Sequence, residues 1–368
     1  MSVEAPKNEA SKSEAQASAR SVTLADLAKA AGVSRTTASN AFNRPDQLSV
    51  VLRERILATA QTLNYPGPNP MARMLRTGRA GALGLVFADS IPYAFSDPAS
   101  LALLRGVGEI CEREHEAIAI LPVEHDVGVP PAVHTAAVDG FLVYCVPEDA
   151  PVLKALEERG LPVVGIDQHG FALGPSVIID DEAAALEACR HLTALGHYQF
   201  GVLSLDLTNN SRTGLIKPQA IDQIEFAVSR KRLRGYFRGL EEVGLEPFDQ
   251  LLAEIAFNSV DAAEQVVRSW LQGTRPPTAV LAMSDQVALG AMRAAADLGV
   301  LIPHQLSIVG FDDTDQAMIA TPPLTTVHQP IVEKGRLATT LLLEARRHGV
   351  HCLAAELVVR GTTAPPPS

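Results

Sequence analysis

Residues 34–40, near the start of the chain, carry side chains that suit hydrogen bonding to the edges of DNA bases. If this segment is a helix, Arg35, Thr36, Ser39 and Asn40 share one face of it. The arginine fork matches the acceptors of guanine, and the shorter hydroxyl and amide groups pair with other base edges. The residue types and their spacing therefore predict a helix that lies in the major groove.

Two flanking helices are predicted to hold this segment in place. Thr23 is followed three residues later by Asp26, a carboxylate variant of the capping box, so a first helix is expected from Leu24 to the glycine at position 32. Ser34 suits the N-cap of the second helix, and a third is expected from about residue 50 to residue 63. Two short helices joined by a glycine turn and closed by a third form a helix-turn-helix. The residues expected to pack between these helices are Leu24, Leu27, Ala28, Ala31, Ala38, Ala41, Phe42, Leu52, Ile56 and Ala60.

Charge is distributed unevenly along the chain. Residues 20–79 contain nine Lys and Arg side chains against three Asp and Glu, a net charge of +6, whereas the whole chain has a net charge of −11. Residues 80–368 therefore carry −16 once the short N-terminal tail is set aside. A basic segment joined to an acidic body is typical of a phosphate-binding module. This favours a DNA reader over the alternative, a helical hairpin whose polar face is merely solvated.

A further helix-forming segment follows the predicted helix-turn-helix. Asn69 suits an N-cap and Pro70 suits the first helical position, so residues 71–76 are expected to form about two turns. So short a helix is marginal in water. It is expected to form only when another surface stabilises it.

The N-terminal sequence resembles the lactose-repressor (LacI/GalR) family of bacterial transcription regulators in VTLADLAKAAGVSRTTASNAFN at 22–43, LNY at 63–65 and NPMARML at 69–75. The resemblance implies that the second helix reads operator bases, and that the hinge helix folds when a homodimer binds double-stranded, pseudo-palindromic operator DNA. It also implies a leucine wedge in the minor groove, which bends DNA so that more protein surface is engaged. The linker at residues 66–68 departs from the family pattern by one extra residue. The implied DNA contacts are Thr23, Ser34, Arg35, Thr36, Thr37, Ser39, Asn40, Asn43 and, as the wedge, Leu75.

Length and composition set outer limits. A chain of 368 residues is expected to contain two or three domains, and 47% hydrophobic with 20% charged residues is ordinary for a globular protein. Residues 1–20 predict a disordered tail rather than a signal peptide, and no apolar run is long enough to span a membrane. The four cysteines and ten histidines lack metal-binding spacing, which predicts reduced thiols, no metal, no cofactor and a cytoplasmic protein.

Residues 81–365 predict a domain of α/β class. Short apolar strands are expected at 81–88, 117–123, 140–146 and 162–167, and a second series begins near residue 200 and includes 253–257, 278–283 and 306–311. Helices between them give the alternation of parallel, doubly wound sheets in two halves with a cleft between them. The expected order is a tail at 1–20, an all-α helix-turn-helix domain at 21–66, a linker with the hinge helix at 67–80, and this domain at 81–365.

This α/β half also resembles the LacI/GalR family, in AMSDQVALGAMR at 282–293, LSIVGFDD at 306–313, PPLTTVHQP at 322–330 and ELVVR at 356–360. The resemblance implies a two-lobed, periplasmic-binding-protein-like core with three crossings, which closes on a small effector and dimerises. It further implies that Arg232 grips the effector and that Asp285 accepts hydroxyl protons. A family aromatic expected near Asn258 is missing, although Phe257 is adjacent.

Polar residues that follow the strands mark the expected effector site, because ligands of open α/β sheets bind beyond the carboxyl ends of the strands. Carboxylates and an arginine supply paired hydrogen bonds to a polyol, and an aromatic face stacks on a sugar ring. Alternatives stay open: the acids are also suited to capping helices, as is Asp180, and the two aromatics to the core. The candidates are Asp89, Tyr93, Phe95, Asp97, Asp181, Arg232, Asn258 and Asp285.

Together these features predict a sequence-specific transcription regulator, a repressor whose operator affinity is controlled by a sugar or sugar derivative. A nucleoside or purine is the alternative effector, and a small-molecule-binding protein without a regulatory role is a further alternative. An enzyme is not expected, because the sequence has no glycine-rich phosphate loop, G-x-S-x-G elbow or metal-ligand cluster. A secreted sugar-binding protein would carry a signal peptide and lack the basic N-terminal segment.

Replacing Arg35 with alanine should change base preference at one position of each operator half-site by roughly 1–3 kcal/mol, because a bidentate base contact is lost. Selection of binding sites from a random duplex library measures this change. Arg55→Ala on the predicted third helix removes the same charge and should leave the selected motif unaltered. An unchanged motif for Arg35→Ala would refute the base-reading role.

Overall fold

The computed structural model describes residues 22–68, 74, 75, 77–88, 90–123, 128–208, 212–217, 221 and 223–367. The boundary between two compact units of the chain falls between Arg79 and Ala80. The predicted tail and most of the predicted hinge helix, residues 69–73 and 76, lie outside the described residues.

Three helices form the described part of the N-terminal unit. Helix α1 spans Leu24–Ala31, α2 spans Arg35–Asn43 and α3 spans Val50–Thr62, with a 3₁₀ turn at Pro45–Gln47 before α3. The helix-turn-helix predicted from the sequence is therefore confirmed.

Local capping explains where the first helix begins and ends. The Thr23 hydroxyl accepts a hydrogen bond from the Asp26 amide, and the Asp26 carboxylate accepts one from the Thr23 amide, which completes the predicted capping box. Gly32 follows α1 with a left-handed φ of 66°, a conformation that favours glycine.

Small residues let the helices of this unit approach closely. Ala38 and Ala41 of α2 are fully buried together with Leu27 of α1 and Ile56 of α3. At the edge of this core the rings of Phe42 and Tyr65 meet edge to face, with centroids 5.8 Å apart. Packing on this side leaves the opposite face of α2 toward solvent.

Two mainly parallel sheets form the second unit, and each defines a lobe. The strands are β1 Ala82–Phe87, β2 Ala117–Pro122, β3 Phe141–Tyr144, β4 Val163–Ile166, β5 Ser176–Ile179, β6 Phe200–Ser204, β7 Gly214–Leu215, β8 Leu251–Glu254, β9 Ala279–Ala282, β10 Ser307–Asp312, β11 Thr325–His328, β12 Val350–Leu353 and β13 Glu356–Val358. Within the described residues, the first lobe has the strand order β12-β5-β4-β3-β1-β2 and the second β13-β11-β10-β9-β6-β8-β7. Antiparallel pairing occurs between β7 and β8 and between β11 and β13.

Helices alternate with these strands and cover both sheets. They are α4 Ile91–Ala94, α5 Pro98–Glu114, α6 Pro131–Thr135, α7 Pro151–Arg159, α8 Asp181–Ala194, α9 Ala227–Glu241, α10 Val260–Leu271, α11 Asp285–Asp297, α12 Asp315–Ile319 and α13 Ile331–Leu343, with 3₁₀ turns at Pro247–Asp249 and Ala256–Asn258. In the part of the chain that the structure describes, no helix combines the length and apolar character needed to cross a membrane. The predicted doubly wound, two-lobed α/β fold is confirmed.

One predicted strand is misplaced. The sequence predicts a strand at 253–257, whereas β8 ends at Glu254 and a 3₁₀ turn follows. Phe257 and Asn258 adopt positive φ angles of 58° and 47°, which strand backbone does not allow. The prediction failed because the apolar run continues past the residue at which the backbone turns.

The chain passes between the two lobes three times. It leaves the first lobe between β5 and α8, returns between β11 and α13, and leaves again between β12 and β13. The three crossings implied by the family resemblance are therefore present. Asp180 and Asp181 lie at the first crossing, and Gln329 lies at the second.

Close packing of α8 against α9 positions two charged side chains. A Cβ added at Gly235 of α9 would lie 2.3 Å from the Glu182 carbonyl oxygen of α8, a distance that real Cβ atoms do not reach. Arg232 precedes Gly235 by about one helical turn, and Asp181 begins α8. The glycine contact therefore brings Arg232 and Asp181 together.

Replacing Thr23 with alanine should destabilise α1 by about 1 kcal/mol, because the first-turn amides lose their side-chain acceptor. Amide hydrogen exchange of residues 24–31 in the full chain, followed by mass spectrometry, reports this loss as faster exchange. Thr62→Ala on α3 removes a hydroxyl from an exposed helix position and serves as the control. Equal protection of α1 in both variants would show that the capping box contributes nothing.

Candidate functional site

The outer face of α2 carries the predicted base-reading residues. Arg35 and Thr36 are exposed near its N-terminus. Ser34 caps the helix, because its hydroxyl accepts the Thr37 amide at 3.0 Å, and the two hydroxyls also lie 2.8 Å apart. The unit thus presents a polar face of the kind that docks in a major groove.

Three predicted DNA contacts are engaged with neighbouring residues. The Asn40 side-chain amide donates to Gln47 Oε1 at 3.1 Å. The Asn43 amide donates to both the carbonyl and the hydroxyl of Ser39, at 3.0 and 3.1 Å. These hydrogen bonds fix the orientations of the side chains before any partner binds.

Leu75, the predicted wedge, is helical and 86% exposed. Such exposure is unusual for a large aliphatic side chain and is consistent with one that packs against a partner surface on binding. The remainder of the predicted hinge helix, apart from Met74, lies outside the described residues.

A cleft between the two lobes of the second unit opens at the carboxyl ends of their strands. It encloses about 1000 Å³, counted to its open mouth. Phe87 ends β1, Tyr144 ends β3 and Asp312 ends β10, and all three line the cleft. This is where the rule for open α/β sheets places a ligand.

Half of the predicted effector residues line this cleft: Tyr93, Asp97, Arg232 and Asn258. Asp97 also caps α5, because its carboxylate accepts the Ser100 amide at 2.8 Å, so both roles considered for it are compatible. Phe257, the aromatic adjacent to Asn258, is 53% exposed and lines the cleft as well.

The other predicted effector residues lie elsewhere. Phe95 follows α4 and is 57% exposed, outside the cleft lining. Asp181 and Asp285 are fully buried and do not line the cleft. Asp89 lies outside the described residues.

Asp285 is turned into the protein rather than toward the cleft. One carboxylate oxygen accepts the Thr326 hydroxyl at 2.5 Å, and the other accepts the amide and hydroxyl of Thr314 at 2.7 and 2.9 Å. These three donors tie α11 to β11 and to the turn after β10. The family acid expected at Asp285 therefore has no access to a ligand in this conformation.

Sequence reasoning missed several acids and an amide that do line the cleft: Asp167, Asp206, Asp312 and Gln329. Two of them were within reach of the rule already applied. Asp167 follows β4 directly, and Asp312 is the last residue of β10. Examining the end of every predicted strand would have found both.

Arg232 lines the cleft and is almost completely buried. Its Nε donates to Asp181 Oδ1 at 2.9 Å, and its Nη1 donates to the Met283 carbonyl at 2.6 Å and lies 3.9 Å from Asp312 Oδ1. The guanidinium also stacks 3.6 Å from the centroid of the Phe311 ring. Burial opposes the charged guanidinium, but the neighbouring acids Asp181 and Asp312 outweigh burial and raise the pKa of Arg232.

A buried charge chain continues from Arg232 in both directions. Gln329 Nε2 donates to Asp312 Oδ1 at 2.5 Å, and Lys334 Nζ donates to Gln329 Oε1 and to Asp167 Oδ1, both at 2.5 Å. On the other side, His169 Nε2 lies 3.0 Å from Asp181 Oδ2. The buried charge chain therefore runs through both lobes and two crossings, in the order Asp167, Lys334, Gln329, Asp312, Arg232, Asp181 and His169.

Burial acts differently on the two acids beside Arg232. It favours the neutral form of Asp181, but Arg232 and the hydrogen bond from His169 outweigh it and lower the pKa of Asp181. For Asp312, burial dominates over the attraction of Arg232 and raises the pKa well above its usual range. Asp181 is therefore the charged partner of Arg232, whereas Asp312, which faces the cleft, is a weaker partner of the same guanidinium.

Direct hydrogen bonds join the lobes beside the cleft. The Asn258 amide of the second lobe donates to Asp97 Oδ1 of the first at 3.0 Å, and the Ser284 hydroxyl donates to Asn258 Oδ1. Arg230 Nη2 donates to Glu148 Oε1 at 2.8 Å. The Asn258–Asp97 and Arg230–Glu148 bonds join the two lobes, so a change in the angle between the lobes would strain or break them.

Comparison with known proteins matches both units. Residues 23–69 match the bacterial regulatory proteins of the lacI family, and residues 189–363 match the periplasmic binding protein-like domain. The HTH-type transcriptional regulator Rv3575c of Mycobacterium tuberculosis is 40% identical over 356 residues, which cover 95% of this chain and 98% of that protein. The chain belongs to the LacI family of bacterial regulatory proteins. It is a DNA-binding transcriptional regulator.

Two solved structures of LacI-type regulators are similar to the chain along most of its length. The lac repressor dimer bound to operator and the anti-inducer ONPF is 27% identical, with a TM-score of 0.74, and covers 94% of this chain and 100% of its own. The regulator CelR in complex with cellobiose is 26% identical, with a TM-score of 0.65, and covers 93% of this chain and 99% of its own.

Asp285 should make the stability of this LacI-family member depend on pH. Burial raises its pKa to about 6, against the hydrogen bonds from Thr326 and Thr314, whereas an unfolded aspartate titrates near pH 4. A raised folded-state pKa means that the stabilisation is complete below pH 4 and is lost as the pH rises through about 6. Relative to Asp285→Asn, the wild type should therefore lose roughly 2 kcal/mol of unfolding free energy between pH 4 and pH 6.5.

Urea unfolding of the two proteins at a series of pH values measures this difference. Asp261→Asn serves as the control, because the Asp261 carboxylate is 79% exposed. A wild-type minus Asp285→Asn difference that stays level across the range would contradict the raised pKa.

Proposed function

We propose that the regulator is a repressor whose affinity for operator DNA is set by a small effector bound in the cleft. The observation that carries the proposal is the presence, in one chain, of a basic helix-turn-helix unit and a two-lobed unit with a polar, aromatic-lined cleft. Neither feature calls for catalysis, so the protein is proposed to act by binding alone. The lac repressor, a structural relative, is described with operator and an anti-inducer.

The effector is proposed to be a sugar or sugar derivative. Asp167, Asp312 and Gln329 offer acceptors and a donor to hydroxyl groups, and Tyr93 and Tyr144 offer rings for stacking on a sugar face. The cellobiose complex of the structural relative CelR supports this class. A nucleoside is the second candidate, because Phe226 and Phe257 also line the cleft and stack equally well on a base.

The DNA partner is proposed to be a pseudo-palindromic operator bound by a homodimer. Arg35, Thr36 and Asn40 would read bases, with further contacts from the N-terminus of α2 and from Asn43. The dimer of the lac repressor on its operator supports this arrangement. In such a complex the two copies of α2 occupy equivalent positions on the two half-sites, in successive major grooves.

Control of DNA affinity is proposed to work by a shift between lobe arrangements. An effector changes this equilibrium only if it binds one arrangement better than the other. Asn258 and Asp97 provide such a difference between arrangements. They form a hydrogen bond with each other across the cleft, and both also line it. A ligand that engages either side chain competes with the direct contact between the lobes.

A thermal-shift screen of the full chain against neutral sugars and nucleosides tests the effector proposal. A true ligand at one hundred times its dissociation constant should stabilise the protein by about 2.7 kcal/mol through mass action. Hits should disappear in Asn258→Ala but persist in Asn64→Ala, a substitution in the N-terminal unit. A screen in which no sugar or nucleoside raises the melting temperature would contradict the proposed effector classes.

Replacing Leu75 with alanine should weaken specific operator binding far more than binding to random duplex, because only a specific complex is expected to kink at the wedge. Fluorescence anisotropy with a selected operator and with a scrambled duplex gives the two affinities. Val51→Ala, at a residue 77% exposed on α3, is the control for loss of an exposed aliphatic group. Equal losses on both duplexes would rule out the wedge.

A further inference from the structure

The charges at the cleft are unbalanced toward acid. Among the described residues that line it, Arg232 is the one cationic side chain. The carboxyl groups of Asp97, Asp167, Asp206 and Asp312 share the same lining, and burial favours the neutral form of Asp312. A ligand in this cleft therefore meets mostly hydrogen-bond acceptors that carry negative charge.

The guanidinium of Arg232 already donates hydrogen bonds within the protein. Its Nε and Nη1 donate to Asp181 and to the Met283 carbonyl, and only 4% of the residue is exposed. Releasing it to grip an anionic ligand would leave the fully buried carboxylate of Asp181 without its strongest partner. Such a loss of a buried ion partner is strongly destabilising.

Lys334 supplies a second positive charge from behind the lining. It is fully buried, and its ammonium donates to Asp167 Oδ1 and Gln329 Oε1, both of which belong to residues at the cleft surface. A buried ammonium is tolerated only when it is paired and hydrogen-bonded. The two contacts therefore hold Asp167 and Gln329 in place. They also pair the positive charge of Lys334 within the protein, so that this charge does not face a ligand.

We propose that the cleft selects uncharged, hydroxyl-rich ligands over their anionic derivatives, and that Lys334 is the positioning residue that maintains this preference. The inference rests on the proposed effector role of the cleft. It adds the charge class of the effector and a residue that acts without touching it.

The preference follows from which groups are left to face a ligand. Hydroxyl groups donate to carboxylates, and these charge-assisted bonds are among the stronger hydrogen bonds. A phosphate or carboxylate on the ligand has no proton to donate and meets like charge at short range. Discrimination then arises from repulsion of the wrong ligand as well as from contacts with the right one.

Lys334 also ties the ligand-facing residues to a lobe crossing. Gln329 lies where the chain returns from β11 to the first lobe, and it bonds both Lys334 of that lobe and Asp312 of the second. Asp167 belongs to the first lobe. A ligand that draws on Asp167 or Asp312 therefore acts on the crossing through Lys334 and Gln329.

The competing explanation is that Lys334 only fills space between α13 and the first sheet. A methionine of similar length would then replace it without effect on ligand binding, since well-packed apolar residues often substitute for buried ion pairs at little cost. The two explanations differ in what happens to ligand affinity in protein that remains folded.

The first experiment compares neutral ligands with matched anions on the full chain by isothermal titration calorimetry. The pairs are cellobiose with cellobionate, glucose with glucose 6-phosphate and with glucuronate, ribose with ribose 5-phosphate, and adenosine and cytidine with their monophosphates. In any pair that binds, the neutral member should bind at least one-hundredfold more tightly. An anionic member that binds as well as its neutral partner overturns the inference but leaves the proposed effector function intact.

Absence of binding in every pair overturns the proposed sugar or nucleoside effector, and the inference that rests on it falls as well. Asp206→Asn gives a further readout, because it removes one negative charge from the lining while an asparagine oxygen can still accept the Phe257 amide. The ratio of anionic to neutral affinity should rise at least tenfold in this variant. An unchanged ratio would show that charge is not the basis of the preference.

The second experiment tests Lys334 with the neutral ligand identified in the first. Lys334→Met should weaken its binding at least tenfold, whereas Lys154→Met, at an exposed lysine of the same lobe, should bind as the wild type does. A lower melting temperature with unchanged ligand affinity would show a structural role alone and overturn the positioning role.

The double variant Asp167→Asn/Lys334→Met covers the case in which the single variant fails to fold. It removes the carboxylate that Lys334→Met leaves unpaired, so its melting temperature should recover most of the loss. Its affinity for the neutral ligand should stay at least tenfold below wild type, because the charged acceptor is gone. Wild-type affinity in the double variant overturns the positioning role of Lys334.

Discussion

The bond between Arg232 and Asp181 is the interaction on which the cleft depends. Both residues are almost completely buried, so neither charge could persist without the other. Their meeting requires α8 and α9 to approach to a distance that glycines at positions 235 and 239 permit. Asp181 lies at a crossing between the lobes, and Arg232 lines the cleft. One ion pair therefore joins the cleft, where a ligand would bind, to the crossing, which would move when the lobes rearrange.

The two units solve different physical problems. The N-terminal unit has a small core built on Leu27, Ile56 and alanines, and side-chain caps and the turn at Gly32 define the ends of its helices. Its net positive charge favours phosphate, while the acidic second unit repels it. The second unit has a large apolar core in each lobe and concentrates its polar groups in the buried charge chain. A family that must read DNA and sense a small molecule is thereby served by one basic and one acidic unit.

The elements could be predicted well from sequence, whereas the roles of single side chains could not. Apolar runs bounded by turn residues placed most of the predicted strands within two residues. The strand predicted at 253–257 was misplaced because the positive φ angles of Phe257 and Asn258 leave no periodic signal, and the strands β7, β11, β12 and β13 were not predicted. Asp312 ends β10 and Asp285 begins α11 shortly after β9, and only the structure shows that Asp285 turns inward whereas Asp312 faces the cleft. Lys334 could not be anticipated, because a helical lysine is usually solvated and its partner Asp167 is 167 positions away in sequence.

The most direct test of control by the cleft is the affinity for a selected operator duplex, determined by fluorescence anisotropy with and without a saturating ligand of the cleft. Coupling between the sites predicts that the ligand changes the operator dissociation constant by a factor on the order of ten or more, and that operator changes ligand affinity by the same factor. An operator affinity that is identical with the cleft empty and filled would contradict the claim that the cleft controls DNA binding.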